Sequence, residues 1–225
     1  GEGGWEEFLG ALSNEAFVRG LVVMPTVMKS WFGSCQRSLH QAALEFVERS
    51  AGRIVVEGEV KKILGASRAL LGDMTVSGNV GTGEIWAKYM QDEVELAVCV
   101  RLPPGYPLRN PEVDAGGGLD AGGKGRKWGL ALNCALAMGS AGILDCLLMW
   151  KENIDTEFDG VEPCPICYAV LDPKSRSTPN FSCPTCNHKF HRACLIKWFA
   201  SREGEHKCVM CQQEINLNAG RRGRR

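Results

Sequence analysis

Long apolar runs are missing from this 225-residue chain. No stretch approaches the ~18 apolar residues that a membrane span needs, and no signal-peptide pattern of a basic start and a short apolar segment stands out. A secreted, disulfide-held protein is therefore not expected, because disulfides persist in oxidising compartments. Net charge is lacking too, with 26 Lys and Arg offsetting 26 Asp and Glu. Neither a membrane nor sequence-specific nucleic-acid binding is expected. Nucleotide chemistry has no signature: the glycine-dense residues 116–125 include Lys124 but no GxxxxGK[ST] pattern, and they read as a mobile loop. Histidine is scarce, at four residues, and three of those fall in one short stretch with seven of the eleven cysteines.

That stretch, from Cys164 to Cys211, is built of four pairs: Cys164-x2-Cys167, Cys183-x2-Cys186, His191-x2-Cys194 and Cys208-x2-Cys211. Two side chains spaced this way close on one ion through a tight knuckle turn. Thiolate and imidazole are the ligands of closed tetrahedral Zn²⁺ sites. Eight ligands suffice for two ions. The segment has too few apolar residues for an independent core, so metal must hold it, at roughly 10–16 kcal/mol per site in small peptides. One ambiguity lies in Cys183, Cys186 and His188. Either Cys183 and Cys186 form the second pair, or Cys186 and His188 do. The first is preferred because it keeps four uniform knuckles and strands no thiol beside a metal. The remaining Cys35, Cys99, Cys134 and Cys146 sit singly in apolar patterns and read as buried thiols.

Charge is unevenly spread. From Pro163 onward 11 Lys and Arg face 4 Asp and Glu, against 15 and 22 before it, so the cysteine-rich end is basic and suits an anionic partner. Arg221, Arg222, Arg224 and Arg225 read as a disordered basic tail over residues 218–225.

The rest of the chain reads as α+β. Residues 1–52 carry helical patterns: Asn14 as a cap before Phe17, Val18, Leu21 and Val22; Pro25 as a break or a new start; then Leu39, Ala42, Ala43, Phe46 and Val47, stopped at Gly52. Trp5 and Trp31 read as packing residues. A helix is expected from Glu59 to Leu71, closed by Gly72. The period then changes to two, giving strands at Met74–Gly78, Ile85–Met90 and Val94–Leu102, an antiparallel meander with one buried face. Pro103, Pro104, Pro107 and Pro111 make a rigid crossing with Tyr106 packed beneath it. Two helices follow, one with Trp128, Ala131, Leu132, Ala135 and Met138, the other after Ser140 with Ile143, Leu147, Trp150 and Ile154, ending at Phe158-Asp159-Gly160.

This order of helix, strands, Tyr-Pro-x3-Pro crossing and two helices resembles the RWD fold, a relative of ubiquitin-conjugating enzymes. The reactive-loop cysteine and His-Pro-Asn turn of those enzymes are absent, so the domain looks catalytically silent. RING ligases, PHD readers and the viral-type RING variant share the ligand order. His206 stands where PHD fingers place an aromatic residue, and the second pair is spaced by two rather than one. Ile166 in the first knuckle and Trp198 after the sixth ligand resemble the RING pattern. The wording from Glu157 to Tyr168 and from Lys189 to Phe199 is similar to the carboxyl-terminal part of the listerin family, RING ubiquitin ligases of ribosome-associated quality control.

That resemblance implies a helical-repeat end at 1–52, an RWD domain at 53–160 and a RING domain at 161–217. The metal ligands would be Cys164, Cys167, His191 and Cys194 for a first zinc and Cys183, Cys186, Cys208 and Cys211 for a second. Ile166, Trp198, Val209 and Gln212 would contact a ubiquitin-charged conjugating enzyme. No residue would be catalytic. Partners would be that enzyme and ubiquitin, the large ribosomal subunit near the exit tunnel, and a stalled nascent chain in the cytoplasm. Gln212 replaces the arginine usual after the last ligand, and Val209 a proline. The competing readings are a non-catalytic zinc adaptor and a PHD-like histone-tail reader.

Overall fold

The computed structural model describes residues 3–114, 124–139, 141–202 and 204–217, with side chains from Ser13 onward. Of the loop expected at 116–125, residues 116–123 lie outside the described residues, as do the Trp5 side chain, Ser140 and the arginine tail, while Lys124 and Gly125 are helical rather than loop. The architecture is α+β: a helical bundle, a four-stranded antiparallel sheet backed by helices, and a cysteine-rich module.

The bundle departs from the sequence reading in instructive ways. Helix α1 (Gly3–Val23) runs straight through Asn14, which caps nothing. No breaker precedes it, and Phe17, Val18 and Leu21 hold the helix by packing on the bundle core. Helix α2 (Pro25–Ser34) starts on Pro25, whose missing N–H costs nothing in a first turn. Trp31 packs edge-on against Phe17. Helix α3 (Arg37–Phe46) passes through a π-helical stretch, Val47–Ala51, directly into α4 (Gly52–Leu64). Through the wider turn the buried residues step by four, so Ala43, Val47, Ala51 and Val55 line the core; Leu39 and Ala42, in the turns before it, are exposed.

Gly52 is therefore not a stop. It is glycine because the proline crossing presses on it: a Cβ there would lie 2.0 Å from the Pro104 carbonyl oxygen and 2.9 Å from that of Val47. The helix expected from Glu59 to Leu71 is two helices. Ser67 caps α5 (Arg68–Leu71) by accepting the Leu70 N–H at 3.3 Å, and Gly72 turns the chain at φ 59°.

Strands β1 (Met74–Asn79), β2 (Glu84–Gln91), β3 (Val94–Arg101) and β4 (Glu112–Asp114) pair in sequence order. The register sets Ile85 against Val100, Ala87 against Val98 and Tyr89 against Leu96. Those residues face Val60 and Ile63 of α4, Trp128 and Leu132 of α6 (Lys124–Met138), and Leu147, Trp150 and Ile154 of α7 (Ile143–Phe158). The pairing of β4 with β3 was not foreseen, because its three residues carry no alternating pattern. The crossing joins the two cores: Leu102 is buried in the sheet core, Leu108 in the bundle core, and Tyr106 packs against both.

On α6 the inward residues step by four, Trp128, Leu132 and Leu136, which leaves Met138 76% exposed. Cys134 is also exposed and Cys35 half-buried, so only Cys99 and Cys146 are the buried thiols expected.

After α7 a five-residue linker, 159–163, leads into the module, which holds β5 (Phe181–Ser182), β6 (Lys189–Phe190) and α8 (Arg192–Ser201). Phe190, Leu195, Phe199 and Ile215 form its small core. The module also reaches back: Leu171, 1% exposed, belongs to the sheet core. Next to it, burial would raise the Asp172 carboxyl, but the amide and hydroxyl of Ser175 and the amide of Lys174 hold it below the usual carboxylate range. Among the described residues no helix is long and apolar enough to cross a membrane.

Two glycines of α4 are expected to respond oppositely to the same change. Gly52→Ala forces its helix off the Pro104 carbonyl and should destabilise by about 1–3 kcal/mol. At Gly58 nothing lies within 4 Å of the point an added methyl would occupy, so Gly58→Ala should stabilise by roughly 0.5–1 kcal/mol. Thermal or urea unfolding of both variants reads the signs.

Candidate metal centres and docking face

Three of the four ligand pairs share one backbone device. In each, the amide four residues after the first cysteine donates to that cysteine's carbonyl: Tyr168 to Cys164 at 2.7 Å, Asn187 to Cys183 at 2.9 Å and Gln212 to Cys208 at 3.0 Å. In each, the first cysteine's own amide donates five residues on, to Ala169, His188 and Gln213. The chain can fold so tightly only if the residue after the second cysteine takes positive φ, and Tyr168, Asn187 and Gln212 stand at 60°, 59° and 60°. Asparagine tolerates that region; tyrosine and glutamine are strained there, which something in the site must offset. The fourth pair is held differently. His191 occupies the cap position of α8, and Cys194 lies in its first turn.

The ligand atoms converge on two points. Those of Cys164, Cys167, His191 and Cys194 lie within 4.8 Å of one another, as do those of Cys183, Cys186, Cys208 and Cys211. Pairs one and three thus meet, and pairs two and four. A tetrahedral zinc with bonds of ~2.3 Å to sulfur implies S···S edges of about 3.8 Å. Cys183 to Cys211 and Cys186 to Cys208 are each 3.7 Å. His191 Nδ1 lies 3.4 Å from Cys167 Sγ and 3.9 Å from Cys194 Sγ, so the donor set fits zinc at both points. His188 joins neither cluster; its backbone carbonyl serves the second knuckle instead.

Protons compete with a cation for these sulfurs. Burial first, then the neighbouring cysteine sulfurs, pushes the Cys194 thiol up to about 12. Burial pushes Cys208 up to about 12 against the pull of the Cys211 and Met210 amides. At Cys183 burial is outweighed by the amides of Cys186 and Thr185, which bring the thiol down to about 7. Zinc binding must therefore displace protons.

Ile166, Trp198 and Val209 are half-buried, each packed on the module core, and Gln212 is exposed. The Trp198 indole N–H donates to the Lys207 carbonyl at 3.3 Å, and Arg202 lies 4.6 Å over its ring. Gln212 turns back on its own knuckle, its amide donating to the Val209 carbonyl at 3.2 Å. Exposed apolar neighbours escaped the sequence reading: Tyr168 is 82%, Ile196 51% and Met210 50% exposed. Their signal was adjacency to the first knuckle, to Trp198's helix and to Val209.

Two family models match, one described as Ubiquitin conjugating domain-like over residues 74–157 and one as Anaphase-promoting complex subunit 11 RING-H2 finger over 154–219. Among curated proteins, the E3 ubiquitin-protein ligase listerin of Gallus gallus is 30% identical over 191 residues, 84% of this chain and 11% of that protein. The listerin of Saccharomyces cerevisiae is 32% identical over 192 residues, 82% of this chain and 12% of its own length. That of Schizosaccharomyces pombe is 40% identical over 151 residues, 65% and 9%. This chain belongs to the listerin family. It corresponds to the carboxyl-terminal RWD–RING region and spans about a tenth of the length of the listerins it matches. The sheet and its helices are the ubiquitin-conjugating-like part, and the cysteine-rich module is the zinc-binding RING finger.

Cys194→Ser should lower the zinc content of the purified chain from about two to about one per molecule, read by metal analysis, while the sheet core stays folded. Zinc affinity at both points should fall as pH is lowered, because protons reclaim the thiolates; titration against a competing chelator at several pH values gives the sign.

Proposed function

We propose that this chain is the ligase end of a listerin-type protein. In this reading Cys164, Cys167, His191 and Cys194 hold one zinc, and Cys183, Cys186, Cys208 and Cys211 a second. Eight protein ligands leave no open position on either ion, so the metal supplies scaffold rather than a reactive water. The chemistry belongs to the partner: a substrate lysine amine attacks the thioester between ubiquitin and a conjugating enzyme. The RING contributes position, holding the charged enzyme so that attack is unimolecular in effect.

Ile166, Trp198 and Val209 supply the apolar seat for that enzyme, with Tyr168, Ile196 and Met210 widening it. Gln212 lies where an arginine would bond both enzyme and ubiquitin. Its amide is uncharged and already turned to Val209, so the chain is a weak activator. The single observation that carries the reading is the interleaved pairing of the two clusters beside half-buried Ile166 and Trp198, in a chain whose relatives are named E3 ubiquitin-protein ligases.

The conjugating-like domain, residues 53–160, is a docking domain. Cys134 is exposed but lies in the middle of α6 rather than in the loop after the crossing, so it is no thioester nucleophile. Residues 1–52 are the end of a helical array and 161–217 the RING. The substrate is a nascent polypeptide stalled on the large ribosomal subunit in the cytoplasm, with the docking domain near the exit tunnel; the family resemblance alone supports this part.

Discharge of ubiquitin from a charged conjugating enzyme to free lysine tests the ligase reading. Ile166→Ala should slow it at least about tenfold, as losing a central apolar anchor does, and Gln212→Arg should speed it several-fold. A rate indifferent to Ile166 would instead mark a zinc-bearing adaptor.

A further inference from the structure

The RING is tied to the β2–β3 turn of the sheet through two successive amides, and the peptide that carries the second leads to a metal-binding atom. Asp92 sits in the β2–β3 turn at φ 52°. Its Oδ2 accepts the Val170 amide at 2.7 Å and the Leu171 amide at 3.3 Å. The carbonyl of Val170, the other end of the peptide that carries the Leu171 N–H, lies 3.2 Å from His191 Nε2. His191 Nδ1 faces Cys167 and Cys194 in the first cluster. Beside this path the Leu171 side chain is sunk in the sheet core, so the peptide cannot swing.

We propose that Asp92 is a positioning residue for the first metal centre, acting through the 170–171 peptide and His191. The order is carboxylate, peptide N–H, peptide C=O, imidazole Nε2–H, and Nδ1 toward the metal. With a carbonyl at Nε2, the proton resides there and Nδ1 keeps its lone pair for a cation. A carboxylate on the N–H side polarises the peptide and makes its carbonyl the stronger acceptor, as hydrogen bonds in chains do. Histidines that bind metal commonly lean on a carboxylate or a carbonyl; here one leans on both in series. The carboxylate comes from the conjugating-like domain and the metal centre from the RING. The same bonds therefore fix which way the RING faces, and hence where a charged enzyme would stand. That last consequence rests on the ligase reading; the effect on the metal does not.

The experiment replaces zinc by cadmium in the intact chain and records cadmium NMR, in which a three-sulfur, one-nitrogen site and a four-sulfur site give separate resonances. Asp92→Gly suits the positive φ and removes both oxygens. It should shift the three-sulfur, one-nitrogen resonance alone and speed metal release from that site about 10–100-fold. Asp92→Asn keeps one uncharged oxygen acceptor at a φ that asparagine tolerates, and should give an intermediate shift and rate. Both resonances unmoved, or both sites loosened equally, overturns the proposal. A wild-type chain with no resonance of the mixed type overturns the zinc assignment itself, a separate failure recognisable before any variant is made.

Discussion

Everything in the cysteine-rich end depends on drawing eight ligand atoms, supplied two at a time along the chain, to two points. The pairs alternate between the points, so the segment cannot be unwound from either end without opening both. Its apolar core is Phe190, Leu195, Phe199 and Ile215 with a few half-buried neighbours, too small to fix three knuckles whose following residues sit at positive φ. Metal affinity is the term large enough to offset that strain and the ordering entropy of the loops. The exposed apolar residues follow from the same constraint: loops clamped at their bases carry Tyr168 and Met210 outward and leave Ile166 and Val209 only half-buried against the small core.

The second constraint is rigidity between the parts. The crossing over Gly52 joins bundle to sheet, with Leu102 and Leu108 in different cores and Tyr106 touching both. Leu171 and Asp92 join sheet to RING. A ligase that works by position gains from such joints, since a misplaced thioester loses most of the advantage of being held. In the proposed reading, the conjugating-like fold serves as a fixed arm between the bundle and the face that would receive the enzyme.

Much of this was legible beforehand because it is local. The x2 spacings name the ligand pairs, the period-two run from Val94 to Leu102 names a strand, and Trp150 and Ile154 name a helix face. The misreadings are places where distant packing decides. Asn14 has cap chemistry but lies inside α1, because nothing upstream breaks the helix. Gly52 has stop chemistry but continues the helix, because its missing side chain admits Pro104. Leu39 lies in the first turn of α3 and stays exposed, and nothing in Val47–Ala51 announces the π turn that follows. Cys134 and Met138 fit an apolar pattern on α6 yet face out, because the inward stripe steps by four. Asp92 was invisible as a partner of the RING: its two acceptor bonds span 78 and 79 positions of chain.

The central claim is that metal creates the docking face. Amide NMR shifts of the zinc-loaded chain on adding a ubiquitin-conjugating enzyme test it most directly, repeated after the zinc is removed by a strong chelator. The expected result is a set of shifts centred on Ile166, Trp198 and Val209 that vanish with the metal while the sheet-core signals persist. Shifts centred instead on the sheet, or a binding response that survives chelation unchanged, would contradict it.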